Sequence, residues 1–348
     1  MEFQIIRILF FSALSFIFAI LSAPLLTHFL YKYKLGKKIR NSGTTPIFSK
    51  LHAHKAGTPT MGGVLIWGTV LILILFFYFL MQLFPGDVFY YFNFLSRAET
   101  LLPLGALIAT AIIGLFDDWL DVTGRGMFGG GGLKLRHRLL IYTLIAIFGA
   151  LWFYFKLDWS IIHVPFLGNF EIGAWYIPIF IFIIVATSFS VNETDGLDGL
   201  AGGTLLIAFA AYGVISFVMG RYDLAAFCAV IIGALLAFLW FNIPPARFYM
   251  GDTGAMSLGV TLGIIAMLTN NVFLLVFIGF IFLIESLSVI IQTLSKKIRG
   301  KKIFLSSPIH HHFQALGWPE AKVVMRFWVI AGMAATIGLI IFLLDKKI

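Results

Sequence analysis

The segment LLPLGALIATAIIGLFDDWLD, residues 101–121, decides how this chain folds. Residues 101–116 form a continuous apolar run that predicts a membrane-spanning helix, and two adjacent aspartates follow it directly. An aspartate at the centre of a bilayer costs roughly 2.5–3.5 kcal/mol, and neighbouring carboxylates repel each other unless a cation lies near. We therefore interpret Asp117 and Asp118 as chemical groups at the boundary between water and lipid, beside a divalent metal.

The rest of the chain has the same apolar character. Of its 348 residues, 60% are hydrophobic and 12% are charged, and apolar runs of about 18 or more residues recur along it. We predict an all-α, polytopic membrane bundle of about ten spans that forms a single domain over residues 1–348. A β-barrel would instead show short alternating segments. The single Cys228 excludes an intramolecular disulfide framework and a cysteine-based zinc site.

The charge distribution predicts how these spans are oriented. The predicted spans lie near residues 5–31, 62–82, 101–116, 138–156, 174–191, 200–219, 224–241, 255–269, 272–294 and 323–344. An even number of spans puts both termini on one side of the membrane, and the connectors of the other side carry 19 of the 25 lysines and arginines. The positive-inside rule therefore predicts periplasmic or extracellular termini and five cytoplasmic connectors. The net charge of +9 then suits anionic headgroups and phosphorylated substrates and does not indicate nucleic-acid binding.

Acidic residues recur in the predicted cytoplasmic connectors. These connectors span approximately residues 32–61, 117–137, 192–199, 242–254 and 295–322. In the third, Asn192, Asp195 and Asp198 are three residues apart, so a helix would place them on one face. In the fourth, Asp252 lies between glycines in MGDTG, which suits a carboxylate exposed to a metal or a phosphate. Because carboxylates hold Mg²⁺ together with substrate phosphates, the pattern indicates phosphoryl transfer.

Other connectors supply cations, hydroxyls and imidazoles. In KAGTPTMGG, Lys55 and Thr60 could line an anion site, although the segment could also be no more than a helix entry. The histidines of SSPIHHHF, residues 306–313, suit anion contact or proton transfer at a helix start. Glu285 and Gln292 lie seven residues apart on one helix face, and Glu285 is either functional or a packing group paired with a cation.

Five ordered motifs carry a resemblance to a known family. They are KAGTPTMGG, the aspartate pair after a span, NETDGLDGLAGG, FYMGDTG, and SPIHHHF followed by GWPEAKVVMRFW. Together they cover nearly the whole chain and resemble the phospho-N-acetylmuramoyl-pentapeptide-transferase (MraY) family, within the polyprenyl-phosphate N-acetylhexosamine-1-phosphate transferases. The family's ten-span topology, with both ends outside, agrees with the prediction from hydropathy and charge.

The resemblance implies an activity and a location. Such an enzyme is a multi-pass protein of the bacterial inner membrane with a cytoplasmic active site. It uses Mg²⁺ to transfer phospho-MurNAc-pentapeptide from UDP-MurNAc-pentapeptide to undecaprenyl phosphate, giving lipid I and UMP in peptidoglycan synthesis. The expected partners are these two substrates and the lipid bilayer, with no nucleic acid, and a homodimer is left open.

The resemblance also implies roles for individual residues. Asp117 would be the base or the nucleophile, with Asp118 beside it, and Asp252 would bind Mg²⁺. His311 is expected among the catalytic residues. The implied substrate contacts are Lys55, Thr60, Asn192, Asp195, Asp198, Asn242, Tyr249, Gln292 and His312, with Phe248 as the alternative to Tyr249 for the ring near uracil.

Three departures from the family pattern and two alternative functions accompany this interpretation. Glu193 stands where an apolar residue is common, and Ala255 follows GDTG where serine is common. The family usually has DDxxK, but Asp121 occupies the lysine position here. We expect the role of that lysine to move to Lys134 or Arg136, or to be absent. A sibling transferase that uses UDP-GlcNAc is a second enzymatic hypothesis, and KAGTPTMGG and SPIHHHF favour the muramoyl branch over it. A transporter with a carboxylate-lined path is the non-enzymatic hypothesis, which predicts acidic residues at the midplane and not at one face.

Overall fold

The computed structural model describes residues 1–36, 55, 57–84, 86–96, 99–124 and 132–346. The helices in these ranges are Glu2–Lys32 (α1), Gly63–Leu83 (α2), Asp87–Phe92 (α3), Leu101–Thr123 (α4), Leu135–Leu151 (α5), Tyr176–Thr194 (α6), Leu200–Val218 (α7), Tyr222–Asn242 (α8), Gly251–Leu268 (α9), Leu275–Ile278 (α10), Phe280–Arg299 (α11), Ile309–Ala315 (α12) and Glu320–Asp345 (α13). A π-helical turn, Trp152–Lys156, continues α5, and 3₁₀ turns at Gly173–Trp175 and Val272–Leu274 precede α6 and α10.

The prediction of an all-α membrane bundle is confirmed. Within the described ranges, nine helices are long and apolar enough to cross a membrane, and a bent pair makes a tenth span if it is counted as one. That pair, Val272–Ile278 and Phe280–Arg299, is bent by 84°. The predicted span 272–294 corresponds to this bent pair, in which the chain breaks at Gly279 between α10 and α11. The protein is a multi-pass membrane protein.

Two further spans differ from their predicted ends. The third was predicted to end at residue 116, but α4 continues to Thr123, so Asp117 and Asp118 lie inside a helix and not in a connector. The eighth begins at Gly251 and not at residue 255, which places Asp252 in the first turn of α9. Hydropathy locates the apolar part of a helix, whereas the backbone hydrogen bonds continue into the polar part.

A short antiparallel hairpin, which the sequence did not predict, lies in the connector after α5. Its strands are Ile161–Val164 (β1) and Gly168–Glu171 (β2). His163 Nε2 lies 2.6 Å from Asp345 Oδ2 at the end of α13, and the main-chain nitrogen of Phe166 donates to Asp345 Oδ1 at 2.7 Å. The hairpin thus joins the end of the bundle that is opposite to Asp117 and Asp252.

Helix α9 is the central element of the bundle. Every residue from Gly251 to Leu268 is buried, and the helix packs against α4, α6 and α2. The close approach to α4 requires Gly114, where a Cβ atom would lie 2.4 Å from the main-chain oxygen of Asp252. Small residues allow membrane helices to approach in this way. Helix packing therefore sets Asp252 beside the polar end of α4.

Candidate active site

Four polar side chains from four helices meet at one end of the bundle. They form the carboxylate cluster, which consists of Asp117 (α4), Arg138 (α5), Asn192 (α6) and Asp252 (α9). The Arg138 guanidinium donates from Nε to Asp117 Oδ2 at 2.9 Å and from Nη2 to Asp252 Oδ2 at 2.6 Å. Its Nη1 donates to Asn192 Oδ1 at 3.0 Å, and Asn192 Nδ2 donates to Asp252 Oδ1 at 2.5 Å. One guanidinium therefore binds three groups that are far apart in the sequence.

The carboxylate cluster is buried and holds two acidic groups beside one basic group. The side chain of Asp117 has no exposed surface, and that of Asp252 is 10% exposed. Asp117 also accepts a hydrogen bond at its other oxygen, Oδ1, from the main-chain nitrogen of Leu133. Buried charged groups require partners of opposite charge, and two carboxyl groups that share one guanidinium suit an additional cation.

Asp118, the neighbour of Asp117, lies in a different environment. Its two carboxylate oxygens accept hydrogen bonds from the main-chain nitrogens of Asp252 at 3.1 Å and Thr253 at 3.0 Å. Thr60 Oγ1 donates to the same carboxylate at 3.2 Å. A carboxylate at the start of α9 accepts hydrogen bonds from main-chain amides that have no partner within the helix, and it interacts favourably with the positive end of the helix dipole. Asp118 and Thr60 thus hold the first turn of α9 in place.

A second polar group, the lysine clamp, consists of Lys55, Asp198 and Glu320. Lys55 Nζ lies 2.6 Å from Asp198 Oδ1 and 2.5 Å from Glu320 Oε1. Glu320 Oε1 also accepts from the main-chain nitrogen of Asp198 at 2.7 Å. Asp198 Oδ2 accepts from the main-chain nitrogen of Ala246 at 3.1 Å. The clamp joins four connectors that are separate in the sequence.

An accessible aromatic ring lies beside the lysine clamp. Lys55 Nζ is 6.0 Å from the centroid of the Tyr249 ring, and Tyr249 Oη donates to the Lys55 carbonyl at 3.5 Å. Burial raises the pKa of the Tyr249 hydroxyl to about 12. Phe248 has no exposed surface and packs against Phe238 and Phe241. Of the two rings that the sequence left open, Tyr249 is the partly exposed one.

The side-chain amides of Asn242 and Gln292 bind main-chain groups. Asn242 Oδ1 accepts from the Gly199 nitrogen at 2.8 Å, and its Nδ2 donates to the Phe248 carbonyl at 2.9 Å. Gln292 Nε2 donates to the Phe304 carbonyl at 2.9 Å, and its Oε1 accepts from the Phe304 nitrogen at 3.1 Å. Asn242 therefore holds the turn that follows Asp198, and Gln292 holds the connector segment that precedes α12.

The three consecutive histidines have separate environments. His310 is fully buried, its Nδ1 lies 2.9 Å from Glu285 Oε2, and burial lowers its pKa to about 3. Burial also lowers the pKa of His311, whose Nδ1 is hydrogen-bonded within α12. His312 Nδ1 accepts from the main-chain nitrogen of Leu305 at 3.2 Å. His310 is therefore a neutral imidazole near pH 7. It is the packing partner of Glu285, in place of the lysine or arginine that one interpretation of the sequence expected.

The acidic series of the third connector is divided between the two polar groups. Helix α6 ends at Thr194, and the chain turns before α7 begins at Leu200. The prediction that a helix aligns Asn192, Asp195 and Asp198 on one face is therefore wrong. Asn192 reaches the carboxylate cluster, Asp198 reaches the lysine clamp, and Asp195 lies partly buried at the end of α6.

Two residues at these sites were not assigned to them from the sequence: Arg138, which the sequence left as either a topology signal or a phosphate contact, and Glu320, which no motif singled out. Arg138 takes the position among the carboxylates that was expected for Lys134 or Arg136, and both of those residues are exposed. Asp121, at the family's lysine position, accepts from the main-chain nitrogen of Gly132 at 3.0 Å. Arg138 falls at the first residue of the predicted fourth span, and a cation inside a span is a functional candidate. Glu320 resembles an ordinary acidic residue of a first helical turn.

The oxygen donors of the carboxylate cluster fit a hard divalent cation. In the part of the chain that the structure describes, no group of three or more His, Cys, Asp or Glu side chains is arranged to hold a metal ion. Mg²⁺ does not need such a group, since it is usually held by one or two carboxylates, waters and substrate phosphates. Asp117, Asp252 and the Asn192 carbonyl supply oxygen donors of this kind.

Comparisons with known proteins agree with this geometry. Residues 100–270 match the sequence model of Glycosyl transferase family 4, and residues 55–66 match phospho-N-acetylmuramoyl-pentapeptide-transferase signature 1. The signature contains Lys55 and Thr60, and the family match contains all four residues of the carboxylate cluster.

Full-length relatives are similar over nearly the whole chain. A phospho-N-acetylmuramoyl-pentapeptide-transferase of Chloroflexus aggregans is 40% identical over 96% of this chain and 89% of its own length. One of a Geobacillus species is 40% identical over 94% of this chain and 95% of its own. One of Clostridium novyi is 38% identical over 93% of each chain.

Proposed function

The chain belongs to the phospho-N-acetylmuramoyl-pentapeptide-transferase family, and we propose that it catalyses the reaction for which that family is named. It transfers phospho-MurNAc-pentapeptide from UDP-MurNAc-pentapeptide to undecaprenyl phosphate and releases lipid I and UMP. The observation that carries the proposal is the convergence of Asp117, Asn192 and Asp252 on one guanidinium at one end of the bundle. Residues 1–348 act in it as one unit.

The carboxylate cluster is the catalytic part of the proposal. Asp117 acts as the base on the undecaprenyl phosphate or as the nucleophile on the diphosphate, and Asp252 and the Asn192 carbonyl would hold Mg²⁺. The ion would supply charge neutralisation for the diphosphate, on which phosphoryl transfer depends. Arg138 holds both carboxylates in place and offers a further cation to the phosphates. Asp118 and Thr60 fix the first turn of α9, which carries Asp252.

The lysine clamp and its neighbours form the nucleotide side of the proposal. Tyr249 stacks on the uracil ring, which its partly exposed ring face permits. Lys55 and Asp198 set the position of that ring and of the third connector. Asn242, Gln292 and His312 hold the surrounding segments through their main-chain hydrogen bonds. His311 and Asp195 complete the substrate contacts.

The membrane placement follows from charge. The basic connectors face the cytoplasm of a bacterial inner membrane, and the carboxylate cluster lies at that face. The site then receives one substrate from water and the other from the lipid bilayer. The hairpin and both chain ends face outward, and the protein works as a monomer or as a homodimer.

The test is UMP release by the purified full-length protein. With UDP-MurNAc-pentapeptide, undecaprenyl phosphate and Mg²⁺, we expect UMP to form, to stop when EDTA removes the metal, and to resume with added Mg²⁺. A folded protein that releases no UMP would contradict the proposal. Rapid quenching with labelled substrate separates two roles of Asp117. Direct attack on the sugar-linked phosphate breaks the bond to UMP and leaves labelled phospho-MurNAc-pentapeptide on the enzyme, whereas general-base action leaves the enzyme unlabelled.

Two comparisons separate the proposal from its alternatives. UDP-GlcNAc in excess should not slow UMP release, whereas a sibling GlcNAc-1-phosphate transferase would accept it. Vesicles that contain the protein should show no net flux of nucleotide, whereas a transporter would show it.

A further inference from the structure

Three tyrosines in the membrane-spanning helices are buried completely, but only one of them has a hydrogen-bond partner in the described structure. Tyr142 is 1% exposed, and Tyr176 and Tyr212 are 0% exposed. Tyr212 Oη donates to the Asn271 carbonyl at 3.1 Å. Among the described residues, none forms a hydrogen bond with the hydroxyl of Tyr142 or with that of Tyr176. A buried hydroxyl without a partner is costly, so each of these two requires an explanation.

Their surroundings distinguish the two tyrosines. Tyr176 packs within the main hydrophobic cluster, as does Tyr212, whereas the ring of Tyr142 lies outside that cluster. Tyr142 stands one helical turn after Arg138 on α5, which places both side chains on one face of the helix. Arg138 itself binds Asp117 and Asp252, so this face of α5 is the one that meets the carboxylate cluster. Tyr176 begins α6, whereas Asn192 of the cluster lies near the end of the same helix.

We infer that the Tyr142 hydroxyl donates a hydrogen bond to an oxygen ligand that enters the carboxylate cluster during the reaction. A phenol offers one donor, and the cluster is where phosphate oxygens and metal-bound water gather if the proposed function, on which this inference rests, is right. The ligand is therefore either a phosphate oxygen of the nucleotide substrate or a water on the divalent cation. In both cases Tyr142 positions an oxygen that the free protein does not supply.

The substitution Tyr142→Phe tests the inference because it removes one oxygen atom and little else. Removing a donor that has no partner in the free protein should leave the unfolding temperature unchanged or raise it. UMP release should nevertheless fall by about ten- to a hundredfold, since a hydrogen bond to a charged oxygen is lost. A structural role would instead lower stability and activity together.

The chain provides two matched controls. Tyr176→Phe removes another partnerless hydroxyl from the opposite end of the bundle, and we expect unchanged UMP release with an unchanged or higher unfolding temperature. Tyr212→Phe removes a satisfied hydroxyl, and we expect a lower unfolding temperature, which calibrates the size of a structural loss.

Binding measurements identify the oxygen ligand independently of turnover. Mn²⁺ alone is titrated into the detergent-solubilised full-length protein and its Tyr142→Phe variant by electron paramagnetic resonance, and UMP is then titrated in the presence of Mg²⁺ by calorimetry. Weaker Mn²⁺ binding by the variant identifies a metal-bound water, and weaker UMP binding alone identifies a phosphate oxygen.

Two outcomes would overturn the inference. One is a Tyr142→Phe variant with wild-type UMP release and unchanged binding of both ligands. The other is a variant that loses stability as much as Tyr212→Phe does. If the wild-type protein itself released no UMP, the proposed function would fail, and the Mn²⁺ titration would still decide whether Tyr142 serves a bound oxygen.

Discussion

The carboxylate cluster and the lysine clamp are built from similar parts but are held by different kinds of structure. In each, one cation lies between two carboxylates, with Arg138 in the cluster and Lys55 in the clamp. All four cluster residues stand on long helices, whereas Lys55 and Asp198 lie in connectors. Side chains on packed helices keep their geometry more closely than side chains on connectors. We infer that the cluster performs the chemistry and that the clamp positions the nucleotide.

The largest effect is expected from neutralising either carboxylate of the cluster. Asp117→Asn or Asp252→Asn keeps the shape of the side chain but removes the charge that binds the metal or acts on phosphate. We expect UMP release to fall by more than about a thousandfold, as when an essential electrostatic group is lost, with the protein still folded. Asp223→Asn is the control, because Asp223 forms an ion pair with Arg7 at the other end of the bundle. Near-normal turnover by either cluster variant would refute its assigned role.

A smaller effect is expected from replacing each of the two basic residues by the other basic residue type at its own position. Arg138→Lys keeps the charge but loses the planar group that binds three partners, and we expect about a hundredfold lower kcat. Lys55→Arg keeps the charge at a side chain that stands outside the long helices, and we expect a change in kcat of less than about threefold. Equal losses for both variants would end the distinction between a cluster held by helices and a clamp held by connectors. The measurement is UMP release at saturating substrate.

The lysine clamp itself should influence binding more than turnover. Glu320→Gln retains an acceptor for the main-chain nitrogen of Asp198 but removes the charge that faces Lys55. We expect KM for the nucleotide substrate to rise about tenfold, which corresponds to roughly 1.4 kcal/mol, while kcat stays the same. Glu171→Gln, at an exposed glutamate of the hairpin, is the control. A fall in kcat with constant KM would assign Glu320 to the chemistry.

The smallest effect is expected from acid, which should lower the stability of the protein through His310, a residue that contacts the connector of the lysine clamp. A Cβ atom on Gly196, in the third connector, would lie 2.3 Å from His310 Nε2, so this connector rests on a neutral imidazole. Burial lowers the pKa of His310 to about 3, whereas an unfolded histidine titrates near about 6.5. Between these values the unfolded chain binds more protons, so stability is full above about pH 6.5 and falls as pH decreases towards 3.

A substitution isolates this contribution of His310. The slope that it adds is at most about 1.4 kcal/mol per pH unit. We expect His310→Gln to reduce the loss of unfolding temperature between pH 7.5 and pH 5, with His311 accounting for the remainder. An unchanged acid slope in this variant would show that folding does not lower the pKa of His310.

The sequence could predict the spans, their approximate number and the types of side chain at the site, because the length of an apolar run and a short motif are both local signals. It placed Asp117, Asn192 and Asp252 in one site only through the family resemblance. Local patterns could not give the contacts between them, since these depend on how α4, α6 and α9 pack. The close approach at Gly114 is one example, because a glycine within a span does not reveal its neighbour.

The failures have equally specific causes. Arg138 stands among basic residues that the positive-inside rule already explains, so its function as a bridge was hidden. The bend at Gly279 could not be recognised from hydropathy, because the residues on both sides of it are apolar. The equal spacing of Asn192, Asp195 and Asp198 suggested one helix face. Because α6 ends at Thr194, Asn192 lies on the helix and Asp198 lies beyond it, and the two side chains bind different partners.

The hydrogen bonds that Asp118 accepts from the first amides of α9 mean that the two neighbouring aspartates cannot exchange roles. Each residue advances an α-helix by about 100°, so inserting or deleting one residue between Gly114 and Asp117 would place a carboxylate at only one of the two positions and a different residue at the other. Side-chain rotation could not compensate for such a one-residue shift in helix register, because the position of Asp118 must supply a carboxylate to the first amides of α9. Variants of this protein with altered length in that stretch should therefore be inactive even when every charged residue is retained.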